Sequence, residues 1–374
     1  MKRIFYCMAA CLIITVTGCK EDEQPKPQEP VLLNTIPAFY KPATETNYGK
    51  TMPQYVQIAD INDRVEEPWD LDFHPTRGNE LWILNKGTDR TGGSTVTISR
   101  AGLPDQSSEW RRDGNAWHFM ALPSAMSFSQ ENGNWATTEE ILDANRQGGS
   151  FTGPALWSSD MNVYAKPSGG NGSHLDMLHG SPYSMGIEAD KDNAFWVFDG
   201  HNKHICWYDF QADHGPGNSD HSDARIHRYR EIEVKREPGV ASHLVVDKKT
   251  GWLYIVDSGN KRVLKMNTNS GAKVGDLPIV NEPLAHHWDM GGVEWKVFTG
   301  NGLTKPAGID LSDGVLYVSD FETGEIVAYD VDNGWELGRL KTGYPGIMGI
   351  KIGPEGKIWF VSSKTHEVVR IDPQ

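Results

Sequence analysis

The sequence predicts an all-β protein: a six-bladed β-propeller whose ring is closed by an N-terminal strand. A turn residue followed by a short apolar strand recurs six times, starting at Pro68, Pro123, Pro182, Pro238, Pro306 and Pro345. A second, aromatic-rich strand follows most copies, and the copies lie near the about 40–50 residues that one propeller blade takes. The last copy ends after its third strand at Asp372, whereas Tyr55-Val56-Gln57-Ile58-Ala59-Asp60-Ile61 has strand character ahead of the first copy.

The second strands read Glu80-Leu81-Trp82-Ile83-Leu84, Ala194-Phe195-Trp196-Val197-Phe198-Asp199, Trp252-Leu253-Tyr254-Ile255-Val256-Asp257, Val315-Leu316-Tyr317-Val318-Ser319-Asp320 and Lys357-Ile358-Trp359-Phe360-Val361-Ser362. Turn signals such as Lys249-Thr250-Gly251 and Pro354-Glu355-Gly356 precede them, as in hairpins. Third strands follow at Ile205-Cys206-Trp207-Tyr208-Asp209, Arg262-Val263-Leu264-Lys265-Met266, Ile326-Val327-Ala328-Tyr329-Asp330 and Val368-Val369-Arg370-Ile371-Asp372. Pairing the segment near Val56 with the strand near Val369 removes an open sheet edge that would otherwise recruit other chains.

From Val256-Asp257 into Ser258-Gly259-Asn260-Lys261-Arg262-Val263 the chain resembles the NHL-repeat family of six-bladed propellers, over residues 55–372. The likeness is weakest in the second copy, where Gly133-Asn134-Trp135-Ala136-Thr137 leads into a long polar insertion.

Lys2-Arg3 and the apolar run Ile4 to Val16 have the layout of a secretory signal, too short for a membrane span. The run ends in Val16-Thr17-Gly18-Cys19, which resembles a bacterial lipobox, so residues 1–18 are expected to leave and Cys19 to carry lipid. Lys20-Glu21-Asp22-Glu23 looks like the acidic signal that exports some outer-membrane lipoproteins to the cell exterior, though a periplasmic location stays open. The Pro-rich stretch to residue 42 reads as a tether, with the propeller over 43–374.

A net charge of −14 and the lack of a basic stripe argue against a nucleic-acid partner. With Cys7 and Cys11 in the leader and Cys19 lipidated, Cys206 stands alone, and no disulfide framework is expected.

Aligning the six first strands places Asp70, Ala125, Gly186, His243, Gly308 and Gly349 next to the central channel. Asp70 and His243 face each other across it and are the polar exceptions among small residues. Ser173-His174-Leu175-Asp176-Met177-Leu178-His179 reads as the entry to the third blade, Asp199-Gly200-His201 as the end of its second strand, and His286-His287-Trp288-Asp289 as the approach to the fifth. Imidazoles near carboxylates suit Zn, Cu or Fe, so His174, His179, His243, His201, His286 and His287 are candidate ligands. They also suit loop hydrogen bonding or stacking on Trp. Ca²⁺ is a further candidate at Asp213–Asp223, whose spacing is not that of an EF-hand.

Two function classes follow. The first is a binding platform of the cell envelope, tethered to the membrane through Cys19 and holding a small ligand, a glycan or an envelope protein, with Trp110, Trp117, Trp157, Trp288 and Trp295 available for stacking. The second is a metal-dependent lyase or hydrolase at the channel, with Asp70 as base or orienter and Tyr183 and Arg236 contacting an anionic substrate. The NHL resemblance implies an amidating lyase with zinc on three histidines from different blades, but the axial positions here supply only His243.

Overall fold

The computed structural model describes residues 53–372 apart from 167–169, 219 and 281; Cys19, the leader and the Pro-rich stretch lie outside the described residues. Six sheets form the six blades of a β-propeller. The inner strands are Pro68–Phe73, Pro123–Phe128, Ser184–Ala189, Leu244–Asp247, Pro306–Ser312 and Ile347–Ile352. Each pairs antiparallel with the next strand in sequence, as the turn-separated repeats predict.

The ring closes as expected. Gln54–Ala59 pairs antiparallel with Glu367–Asp372, from Gln54 opposite Asp372 to Ala59 opposite Val368. Ile61 lies beyond that strand in a short 3₁₀ turn capped by the Asp60 side chain, which accepts from the Asn62 N–H.

Blade 3 departs from four strands. Residues between the third strand of blade 4 (Arg262–Asn267) and its outer strand (Trp295–Thr299) leave that blade as a hairpin of Ala272–Asp276 and His286–Gly291. His286–Gly291 lies parallel to the outer strand of blade 3, Arg225–Tyr229. An aromatic ladder accompanies the added pairing: Trp207, His227 and Trp288 stack at 4.7 and 4.8 Å between ring centroids. Such cross-strand pairs stabilise a sheet by about 0.2–1 kcal/mol each.

Two sequence assignments therefore change. His286 and His287 sit in a strand added outside Arg225–Tyr229 on blade 3, not at the approach to blade 5, because the insertion packs on the neighbouring blade before the chain returns. His174 belongs to the outer strand of blade 2 (His174–Met177), not to a loop. The long polar insertion of blade 2 supplies the third strand, Ala155–Trp157. Trp157 is fully buried there, stacked on Trp135 at 5.8 Å, and is unavailable for sugar stacking.

Candidate functional site

The axial ring is packed shut. A Cβ on Gly186 would come 2.0 Å from the Ser242 carbonyl oxygen, one on Gly308 2.2 Å from that of Met348, and one on Gly349 2.3 Å from Asp70 Oδ1. Small residues are required there because six inner strands converge. Asp70 and His243 do meet, with Oδ1 3.5 Å from Nδ1. His243 Nε2 lies 3.0 Å from the Ser124 carbonyl oxygen, an acceptor only, so that nitrogen carries the proton and donates. Asp70 accepts from the N–H groups of Leu71 and Met126 at 2.9 and 2.8 Å. Burial raises its pKa, against the opposing pull of His243 and Lys351.

On the face that carries the links from each outer strand to the next inner strand, a charge relay bridges the channel mouth. Lys86 Nζ pairs with Glu140 Oε2 at 2.7 Å and lies 3.2 Å from the centroid of the Trp69 ring. Glu140 Oε1 accepts from Gly239 N–H at 2.7 Å and lies 3.3 Å from Arg236. The Arg236 guanidinium lies over the Tyr183 ring at 3.9 Å, so these two predicted residues do meet; His201 is the neighbouring ring at 6.5 Å.

The opposite mouth is open. A cavity of about 620 Å³ is lined by Asp72, Glu188, Asp310 and Lys351, with His74, Lys249 and Asp313 further out. The innermost four occupy one register. Two residues beyond the axial ring, the six strands present Asp72, Ser127, Glu188, Val245, Asp310 and Lys351, as the period of two along a strand requires.

The carboxylates are held by backbone. Each inner strand has one edge facing the channel, with no further strand to pair its N–H groups, and acidic side chains of the preceding blade fill that need. Asp72 Oδ2 accepts from Phe128 N–H at 2.9 Å, Glu188 Oε1 from Val246 N–H at 3.3 Å and Asp310 Oδ2 from Ile352 N–H at 2.5 Å. Hydrogen bonds to charged groups contribute about 1.5–3 kcal/mol each. Lys351 Nζ lies 3.7 Å from Asp72 and 4.0 Å from Glu188. Burial alone would lower the Lys351 pKa, but the surrounding carboxylates outweigh it and raise it. One ammonium cannot neutralise all of them: burial pushes Glu188 up to about 7, against Lys351, and also raises Asp310.

The remaining predicted ligands do not gather at the axis. His174 is buried against Phe119, with ring centroids 3.5 Å apart, and its Nδ1 donates to the Asn171 carbonyl oxygen at 2.8 Å; burial lowers it to about 4. His287 donates through Nδ1 to the Pro278 carbonyl oxygen at 2.7 Å and accepts from Arg228 Nε at 2.9 Å. His286 stacks on Trp288 at 4.1 Å. His179 turns away from the channel to Glu282 and His221. Among the described residues, the expected trio His174, His179 and His243 is not a common donor set.

In the Asp213–Asp223 loop, Asp213 accepts from Gly215 N–H, Asp220 from Ser222 N–H, and Asp223 from Ala212 N–H with His214 3.2 Å from its other oxygen. These contacts hold the loop together through one oxygen each of Asp213 and Asp220 and both oxygens of Asp223. Asp199, His204 and Cys206 also converge, but a cation already lies among them: Arg228 Nη1 is 3.1, 3.3 and 3.4 Å from their donor atoms. Burial pushes the Cys206 thiol up to about 12, against Arg228, so it is protonated near neutral pH.

No protein-family model and no curated protein sequence matches the chain. Among solved structures it is similar to an auxiliary nutrient binding protein from Bacteroides thetaiotaomicron, at 11% identity and a TM-score of 0.53 over 81% of this chain and 68% of that one. A protein of the same description from Bacteroides ovatus gives 12% and 0.51 over 82% and 69%. A luciferin-regenerating enzyme gives 13% and 0.52 over 86% and 95%. Likeness at these identities is one of fold.

Proposed function

We propose that the protein is a binding platform of the cell envelope, held to the membrane through a lipidated Cys19, whose open channel mouth takes a small hydroxyl- or amine-bearing ligand. The observation that carries this reading is the cavity of about 620 Å³ ringed by Asp72, Glu188, Asp310 and Lys351. Its volume falls within the roughly 300–1,000 Å³ of small-molecule sites, and its chemistry is polar. Carboxylates accept from hydroxyl and ammonium groups, while Lys351 and Lys249 donate. Two fold neighbours are auxiliary nutrient binding proteins, which points the same way. Val16-Thr17-Gly18-Cys19 and the acidic Lys20-Glu21-Asp22-Glu23 support attachment to the outer membrane facing outward.

The lyase or hydrolase alternative has less support. Its axial histidine donates through Nε2 to a carbonyl, and the other histidines assigned to it face other partners.

Calorimetric titration with a panel of neutral oligosaccharides, amino sugars and polyamines tests the proposal. At least one class should bind, and Lys249→Ala combined with Asp313→Asn, at exposed turns on the rim, should weaken it about tenfold, or 1.4 kcal/mol. A panel without any binder, or binding that ignores both the rim variant and Lys351→Met, removes the proposal.

A further inference from the structure

Away from the channel, at the seam between blades 2 and 3, three distant segments bring nitrogen and oxygen donors together. Asp176 lies in the outer strand of blade 2 and His179 in the link that follows it; His221 comes from the loop before the outer strand of blade 3; Glu282 arrives on the blade 4 insertion. His179 Nδ1 and His221 Nδ1 both face Glu282 Oε2, the second at 2.7 Å, and His179 N–H donates to Glu282 Oε1 at 3.0 Å. One donor atom from each of His179, His221 and Glu282 lies within 4.8 Å of the others. Asp176 Oδ1 stands 3.1 Å from His221 Nε2, and the Phe151 ring stacks on His179 at 3.6 Å. Side-chain exposures of 7% for His179, 4% for Glu282 and 0% for Asp176 put the cluster inside the protein.

We propose that His179, His221 and Glu282 form a transition-metal site, best suited to Zn²⁺, that locks the blade 4 insertion into the seam. Two carboxylates meet two imidazoles there. A divalent cation held by two neutral imidazoles balances both carboxylates, and buried charge without a partner is costly. The site also holds buried polar atoms without a hydrogen-bond partner: His179 Nε2, His221 Nε2 and Asp176 Oδ2. Two nitrogens and one carboxylate oxygen are a Zn²⁺ donor set, with bonds of about 2.0–2.2 Å. Asp176 is a positioning residue: its carboxylate, 3.1 Å from His221 Nε2, favours the tautomer with the proton on that nitrogen and so leaves the Nδ1 lone pair for the metal. In the Asp199, His204 and Cys206 cluster, Arg228 occupies the corresponding place.

The test uses the full chain, solubilised in detergent, stripped with EDTA and titrated with Co²⁺ and then Zn²⁺. One equivalent of Co²⁺ should bind and give the visible d–d bands of a low-coordinate site, which Zn²⁺ displaces. His221→Ala and Glu282→Gln should each weaken binding at least 100-fold, Asp176→Asn about tenfold, and His243→Ala not at all. Absence of saturable binding, or equal affinity in a folded Glu282→Gln variant, overturns the proposal. Should those variants not fold, limited proteolysis of the unaltered chain decides: Zn²⁺ must slow cleavage within residues 268–294, and equal rates with and without Zn²⁺ overturn it.

Discussion

Glu188 ties the ring of charge at the open mouth to pH. Its carboxyl is buried beside Asp72 and Lys351 and is held at about 7, against 4.5 for an unburied glutamate. Between those values the folded protein binds the extra proton, so the contribution of Glu188 to stability is complete below 4.5 and is lost as pH rises through 7. The size of that loss is of order 3 kcal/mol. Glu188→Gln keeps the acceptor for Val246 N–H and removes the titration. Denaturant unfolding at pH 5 and pH 8 should therefore reveal a smaller drop in stability for the variant than for the unaltered protein; equal drops would contradict the assignment. The residue is legible in the sequence, two positions along the strand from Gly186, but the small axial residues mark only their own register. Asp310 and Lys351 stand in the same relation to Gly308 and Gly349.

The strand Gln54–Ala59 carries the closure of the ring. Its pairing with Glu367–Asp372 joins the two ends of the described chain, and Ile58 and Ala59 are buried in the core. A protein starting at Val65 loses that pairing and leaves Glu367–Asp372 as an open edge, which favours association between chains. It should melt about 5 °C or more below a protein starting at Pro53, since each kcal/mol lost shifts Tm by about 2–4 °C even in a larger domain. A Tm unchanged by the truncation would mean that the strand adds nothing to stability. This element could be read from the repeats because an incomplete last copy and an unassigned strand at the start are complementary. The blade 4 insertion could not. Its strands, Ala272–Asp276 and His286–Gly291, look like ordinary loop-flanked segments, and only packing reveals that they extend blade 3 rather than their own blade.

For the whole molecule, the propeller has one mouth bridged by the Lys86, Glu140 and Arg236 relay and the other open over a ring of charge. Under the proposed function, the platform presents that open mouth to its ligand, and a lipid on Cys19 would set where the molecule resides. Cys19→Ala should move the protein from the membrane fraction to the soluble fraction while leaving its Tm unchanged, by fractionation and scanning calorimetry. Retention of the variant in membranes would remove the anchor.

The sequence by itself determined the six-fold repeat, the strand order and the closure, because hairpin turns and alternating apolar residues are local signals. It also identified Asp70 and His243 as neighbours across the axis, since one register shared by six strands maps directly onto one channel. Partners joined across more than one blade were beyond it. His179 and Glu282 are 103 residues apart, and no turn, spacing or periodicity links them. Only the folded chain, with an insertion crossing blade 3 to reach the seam behind it, decides which histidine meets which carboxylate, because that pairing depends on where the insertion packs rather than on its composition.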